Sequence, residues 1–464
     1  MERLTGIDAA FLSTETPAQH MHALGVTVLD PSAAPGGFDP EAARAEILRR
    51  MMQQPALRRR LVQFPFGLDL PAWVETSIDC DAHGIRASLP APGTRRQFED
   101  FVGHYLSVPL PRERPLWQAC LLEGLEGGRV ALLVKIHHCI VDGGSGMQLM
   151  GSVYDAAPTP PPPAAVPDRW GHDEEQPSPW SLLGAALAAR AGDPLRAAGL
   201  AATTLASVGR TLVEAVASRR AAPELTAPAT PFSRALTPRR SVALAQAPLT
   251  DVKAIREHFG CTVNDVVLAA CSMALRSVLE SRGALPERPL VASVPVSLRS
   301  PGEESRSFNR VTAMFVALPV HVKDPLGQLQ EVRRASAEAK SLLASVGREL
   351  LGQWMELLPP FLLQGAMRLY SSLGLAELHP PLQNLVVSNV RGPSFPLYAS
   401  GAKAVEIYPL GPILEGAGLN VTVFSYEDSL NVGIAACPDL LADVDAVGEG
   451  ILRAIALLRR LAGR

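Results

Sequence analysis

The chain has 464 residues, of which 47% are hydrophobic and 19% charged, and it carries a net charge of −3. That length predicts two or three domains, each with its own core. The slightly acidic balance gives no electrostatic case for nucleic acid, which is not expected as a partner. The six cysteines (Cys80, Cys120, Cys139, Cys261, Cys271 and Cys437) form no CxxC pair and read as reduced thiols of a cytosolic protein. The opening residues 1–8 lack the apolar region of a secretory signal. No uncharged apolar run reaches the ~18–20 residues of a spanning helix. A cytoplasmic protein, at most attached to a membrane surface and not secreted, is therefore expected.

In chain order, residues 1–157 read as a mixed α/β domain. Segment 40–59 has Ala43, Ile47 and Met51 at helical spacing, with Asp39 placed to cap it and Pro40 at the first helical position. Segment 129–138 is a nearly continuous apolar run, as in a strand covered on both faces. Asp142-Gly143-Gly144 breaks that pattern, and 145–155 looks helical. Residues 158–240 form a connector: a proline-rich run at 158–163, then an Ala- and Leu-rich pair of helices over 180–220, split at Gly192-Asp193-Pro194. Residues 241–464 form a second domain. Thr262 and Asp265 make a capping box ahead of a helix that continues through Arg276. Strands are expected at 290–296, 311–318, 384–390 and 419–425. Strands and helices alternate in both halves, without a sequence repeat between them.

The chemistry concentrates at His137-His138-Cys139-Ile140-Val141-Asp142-Gly143. Adjacent strand residues face opposite ways, so the two imidazoles do not share a metal; one faces the core and the other a cavity. An imidazole in a cavity titrates near neutrality and can take a proton from an alcohol. Gly143 and Gly144 let the backbone bend sharply and a bulky substrate approach. Cys139, next along the strand, would point away from such a cavity, and no GxSxG nucleophile elbow is present, so an acyl-enzyme is not expected.

These residues belong to a wider pattern. The opening Leu4-Thr5-Gly6-Ile7-Asp8-Ala9-Ala10-Phe11-Leu12 with His20-Met21-His22, Pro115-Leu116-Trp117, HHxxxDG at 137–143, Asn264-Asp265, Pro295-Val296-Ser297-Leu298-Arg299, Ser388-Asn389-Val390-Arg391-Gly392-Pro393 and Gly418-Leu419-Asn420 all recur in one family. Over nearly its whole length the chain resembles the bacterial wax ester synthase/diacylglycerol acyltransferases, within the superfamily of HHxxxDG coenzyme A-dependent acyltransferases and condensation domains. One departure is that Gln19-His20 stand where the family often has proline before Met-His.

The resemblance implies an α/β fold of two chloramphenicol acetyltransferase-like halves, each a mixed sheet flanked by helices, with the active-site tunnel between them. It implies that His138 faces the tunnel as general base and that His137 points inward. Asp142 would hold the turn, with Arg299 as its candidate partner. Asn264 either donates to the acyl carbonyl or makes a helix-start hydrogen bond. Pro115, Leu116, Trp117, Gly143, Gly144, Ser388, Asn389 and Gly392 would shape the acyl channel, or simply pack.

Acyl-coenzyme A would be the donor, and diacylglycerol or a long-chain fatty alcohol the acceptor. Coenzyme A enters only as substrate; no metal cluster, dinucleotide fingerprint or P-loop accompanies it. Two stretches suit a membrane or lipid-droplet surface, or alternatively pack between domains: 180–220 and 353–363. Two other readings stay open. One is a superfamily relative that acylates another alcohol or uses a carrier-bound donor, and the other is a non-catalytic lipid-droplet protein that keeps the fold.

Overall fold

A computed structural model describes residues 1–140, 143–159, 169–175, 177–217, 226–297, 311–346 and 350–463. The N-terminal part contributes α1 (Gly6–Ser13), β1 (His22–Asp30), α2 (Pro40–Met52), β2 (Gly84–Ser88), α3 (Arg95–Ser107), β3 (Trp117–Leu125), β4 (Arg129–His137) and α4 (Gly143–Val153). Two connecting helices follow, α5 (Pro179–Arg190) and α6 (Asp193–Ala217). The C-terminal part adds β5 (Ser241–Pro248), α7 (Leu249–Phe259), α8 (Val263–Ser281), β6 (Leu290–Ser297), β7 (Val311–Leu318), α9 (Pro325–Val346), α10 (Leu350–Leu357) and α11 (Pro360–Ser372). It ends with β8 (Leu385–Arg391), β9 (Tyr398–Ala399), β10 (Ala402–Leu410), β11 (Leu419–Tyr426), β12 (Ser429–Ala436) and α12 (Asp445–Ala462).

Local chemistry sets several of these boundaries. Asp39 Oδ1 accepts from the amides of Glu41 and Ala42 at 2.9 and 3.4 Å, so α2 starts where its orphan donors are satisfied. It ends at Met52, and the remainder of the helical segment read from sequence becomes a 3₁₀ turn at Pro55–Arg58 and a short strand. Proline at 55 lacks the donor that a continued helix needs. Thr262 and Asp265 form a reciprocal capping box at the start of α8, with bonds of 2.9 and 3.1 Å. The α5/α6 break falls at residues 191–192, as Gly192-Asp193-Pro194 predicts.

Two six-stranded mixed sheets organise the molecule. The first has the order β9-β10-β1-β4-β3-β2 and the second β5-β12-β11-β8-β6-β7. Strand β4 lies inside the first sheet, between β1 and β3, and both of its faces are covered by apolar clusters. That burial explains its nearly continuous apolar run. The second sheet packs against α8, α9 and α12 around the largest cluster.

The C-terminal part lends strands to the first sheet. β10 comes from the C-terminal part yet pairs antiparallel with β1, from Lys403↔Asp30 to Leu410↔Leu24. It covers an edge of β1 that would otherwise expose a row of unpaired backbone groups. A boundary at 240/241 therefore separates the sequence but not the sheets. Gly433 on β12 allows this crossing, because a Cβ there would collide with the Pro409 carbonyl on β10. Arg95 on α3 adds a polar stitch, reaching Glu406 at 2.8 Å, the Leu244 carbonyl at 2.8 Å and the Tyr408 hydroxyl at 3.1 Å.

Candidate active site

The two motif histidines stand at the end of β4, and the backbone fixes both. The His137 amide donates to the Leu116 carbonyl at 2.9 Å, and the His138 amide donates to the Met21 carbonyl at 2.8 Å. Their side chains diverge. His137 is 1% exposed. His138 is half-buried, with Phe11 of α1 stacked over it at 5.2 Å and 27° between planes. A tight turn follows, in which Ile140 N–H donates to the His137 carbonyl at 3.0 Å. Gly143 and Gly144 then begin α4. Asp142 and Arg299 lie outside the described residues.

His137 is oriented by its neighbours. The Cys139 amide donates to His137 Nδ1 at 3.1 Å. In the neutral ring the proton is therefore on Nε2, which faces Glu15 Oε1 at 3.6 Å. The same carboxylate oxygen lies 3.4 Å from His22 Nε2, on the strand residue paired with His137. Its other oxygen is held by Arg112, at 2.7 and 3.2 Å, and Arg112 also donates to the Leu12 carbonyl at 2.8 Å. Burial works to raise the pKa of Glu15, but hydrogen bonding by His137 and His22 outweighs it and holds the carboxyl well below the usual carboxylate range. An ionised Glu15 thus sits behind the motif, locked by a guanidinium. Sequence reasoning assigned no role to Glu15, Arg112 or Phe11. Ninety-seven residues separate the first two, and no local pattern relates them.

The nearby histidines are kept neutral. Burial, against a raising hydrogen bond from Glu15, pushes His22 down to about 3. Burial likewise pushes His83, which bonds the Trp117 carbonyl at 2.9 Å, down to about 4. Unfolded, both rings titrate near 6.5. Below that pH the unfolded chain takes up protons that the folded chain refuses, so stability is lost as pH falls. The urea midpoint is expected to be flat above about pH 7 and to drop between pH 6.5 and 5, with a slope approaching ~1.4 kcal/mol per pH unit for each ring. Glu15 has the opposite charge but the same sense: its contribution is present above ~4.3 and is lost only below that window. A profile that stays flat from pH 7 to 5 would mean that the rings protonate in place.

Cys139 is 3% exposed, and burial pushes its thiol well above the ordinary range. Such a thiol is neither a nucleophile nor reactive. Cys139→Ala should keep most of its activity, and iodoacetamide should leave Cys139 unmodified in the native protein by mass spectrometry. Loss of turnover with the fold intact would restore a role for the sulfur.

The other sequence candidates divide. Leu116 and Trp117 are 0% and 1% exposed, and Trp117 Nε1 donates to the Leu57 carbonyl at 2.7 Å. They pack in the core, and the buried Pro115 leads into them. Their part in the site is indirect, through the Leu116 carbonyl that seats His137. Asn264 is half-exposed at the start of α8, whose capping is done by Thr262 and Asp265; of the two readings, the helix-start bond belongs to those neighbours.

On β8 the residues alternate. Val390 packs on the N-terminal core cluster, so Ser388, two residues earlier, shares that face of the strand. Asn389 lies on the opposite face and is exposed. Gly392 donates to the Ser425 carbonyl at 3.0 Å, pressed against Phe424.

Known proteins share both the sequence and the architecture. Residues 4–267 match the wax ester synthase/diacylglycerol acyltransferase catalytic domain, and residues 308–459 match the WS/DGAT C-terminal domain. A Mycobacterium tuberculosis protein, provisionally named a diacylglycerol O-acyltransferase, is 36% identical over 457 residues, covering 98% of this chain and 89% of its own. A second from the same organism is 36% identical over 470 residues, covering 100% and 97%. The solved wax ester synthase/diacylglycerol acyltransferase of Marinobacter aquaeolei VT8 superposes over the full length of both chains with a TM-score of 0.70 and 28% identity. The first condensation domain of the calcium-dependent antibiotic synthetase shares the fold, at a TM-score of 0.59 and 17% identity. With family domains matched on both sides of the motif and a relative aligned along nearly the entire chain, this protein belongs to the wax ester synthase/diacylglycerol acyltransferase family and is an acyltransferase.

Proposed function

We propose that the protein transfers a long acyl group from acyl-coenzyme A to the hydroxyl of diacylglycerol, of a long-chain alcohol, or of both, with His138 as the general base. One observation carries the reading. Of two adjacent imidazoles on a buried strand, one is turned inward, its Nδ1 accepting from the Cys139 amide and its Nε2 3.6 Å from Glu15, and the other is half-buried under Phe11. The acceptor classes come from the names of the relatives and of the Marinobacter structure.

The alcohol oxygen attacks the thioester carbonyl as its proton passes to the His138 imidazole. The tetrahedral oxyanion then collapses, the carbon–sulfur bond breaks, and the imidazolium returns the proton to the departing thiolate. Asn264 is the proposed amide donor to the oxyanion, and Asp142 with Arg299 the proposed brace of the turn. Coenzyme A arrives as part of the donor, and the chemistry requires no further cofactor. Because the acceptors are water-insoluble, the enzyme would work in the cytoplasm, seated peripherally on the inner membrane or on lipid droplets.

The test offers palmitoyl-coenzyme A with hexadecanol and with dioleoylglycerol in parallel, following both thiol release and lipid product. Ester from either acceptor supports the reading, and the product ratio names the acceptor. No turnover with either, but transfer from a carrier-bound thioester, would move the protein to the condensation-type alternative.

A further inference from the structure

One face of the molecule is apolar and open. On α11 and just beyond its end, Phe361, Leu362, Leu369 and Leu373 are 43, 49, 57 and 61% exposed. Leu362, Ala366, Leu369 and Leu373 recur at i, i+4, i+7 and i+11, which is one stripe of a helix pointing into solvent. On α5, Trp180 and Leu187 are 81 and 60% exposed and lie two turns apart on one side.

The turn at 64–68 joins these helices. Phe66 is 81% exposed at φ 57°, a conformation that costs a side chain this large, and the adjacent Gly67 abuts Phe361. A groove of about 380 Å³ continues the surface between Leu68, Leu187, Pro194, Leu357 and Pro359. A soluble monomer rarely leaves so much contiguous apolar surface in water.

Charge and position narrow the occupant. Neither Pro179–Arg190 nor Pro360–Ser372 contains an aspartate or glutamate; of their two arginines, Arg190 is paired with Asp69 and Asp193, and Arg368 is exposed. The inner side of α11 packs on α1, which carries the Phe11 ring over His138, and Ser371 Oγ is 3.3 Å from Thr16 Oγ1. The open face is therefore one helix away from the proposed base. Among the described residues no single helix is long and apolar enough to cross a bilayer. Of segment 353–363, α10 packs inward against α1 and α6, with Trp354 Nε1 bonded to Thr204 Oγ1 at 3.1 Å; its later part reaches the groove at Leu357 and Pro359 and the open face on α11.

We propose that α5, α11 and the Phe66 turn form the surface on which the protein docks to a phospholipid bilayer bearing anionic headgroups, so that a bilayer-dissolved acceptor reaches the site past α1. This rests on the acyl-acceptor reading for its purpose but not for its measurement. Interfacial helices of this kind insert their apolar side by roughly 5–10 Å and add electrostatic attraction to anionic lipid.

The experiment is vesicle co-sedimentation of the full chain, with phosphatidylcholine alone and with added phosphatidylglycerol, for wild type, for Leu369→Asp/Leu373→Asp and for Arg368→Glu. The leucine variant should lose at least ~10-fold in partitioning to both vesicles, and Arg368→Glu should lose binding only where phosphatidylglycerol is present. All three positions are on the surface, and circular dichroism checks the fold. Transfer to a short water-soluble alcohol should be unchanged in the variants, while transfer to vesicle-borne dioleoylglycerol falls with binding. Unaltered partitioning of the leucine variant would overturn the proposal. So would a wild-type dimer in light scattering that this variant dissolves, because the face would then be covered by a second copy. Binding is read without turnover, so failure of the acyl-transfer reading leaves this result standing.

Discussion

His138→Ala should lower acyl transfer by at least ~100-fold with either acceptor, while the fold and vesicle binding survive. The magnitude follows from the role: a positioned base contributes about 10²–10⁴-fold, and substrate alignment and oxyanion donors remain after it is removed. The fold survives because the ring is half-buried and covered on one side by Phe11, and because the backbone bond to the Met21 carbonyl does not need the side chain. His137→Ala is the informative partner. Its ring is 1% exposed and engaged with Cys139 and Glu15, so its removal should cost stability together with activity. Thiol release from palmitoyl-coenzyme A, read beside urea midpoints, separates the two. A His138→Ala enzyme within a few-fold of wild type would remove the base from that position.

Arg112→Met should be among the most destabilising single substitutions in the N-terminal half, at about 3 kcal/mol. Glu15 is 12% exposed and ionised, and Arg112 supplies both its nearest cation and two hydrogen bonds, of 2.7 and 3.2 Å. Without the guanidinium, the carboxylate stays buried beside His22 and His137 with no cation to hold it, or must take up a proton. Adding Glu15→Gln should then recover part of the loss, because replacing both partners costs less than stranding one. The measurement is a double-substitution cycle of urea midpoints at pH 7. Strict additivity would mean that the two side chains are not coupled. Activity in Arg112→Met should fall too, since the same carboxylate orients His137, and His137 shares its turn with the base.

Much of the local structure was legible because it is written over short distances. Asp39 before a Pro-started helix, Thr262 three residues before Asp265 and Gly192-Asp193-Pro194 between two Ala-rich runs each act within one or two turns. In each case the observed cap or break agrees. The apolar run before His137 marked a doubly covered strand, and adjacency alone implied that two strand histidines face opposite ways. What adjacency could not say is which one turns inward. The Cys139 amide and Glu15 decide that, and the second comes from beyond α1.

Family motifs left two readings open, channel lining or packing. For Pro115-Leu116-Trp117 the packing is visible: Trp117 spends its N–H on Leu57, and the Leu116 carbonyl accepts from the His137 amide. Asn389 and Ser388 are neighbours in the motif and diverge in the sheet, because strand alternation separates them.

By itself, then, the sequence determined the element types, their caps and breaks, the motif at the strand end and the family, since these depend on residue chemistry at close spacing. Only the tertiary structure decided that β10 crosses into the first sheet, that Arg112 reaches Glu15 from 97 residues away, and that the apolar side of α11 turns outward. An apolar stripe looks the same in sequence whether it is buried or exposed, and a salt bridge between distant residues leaves no local pattern. Both are settled only when loop closure brings the partners together or leaves a face without one.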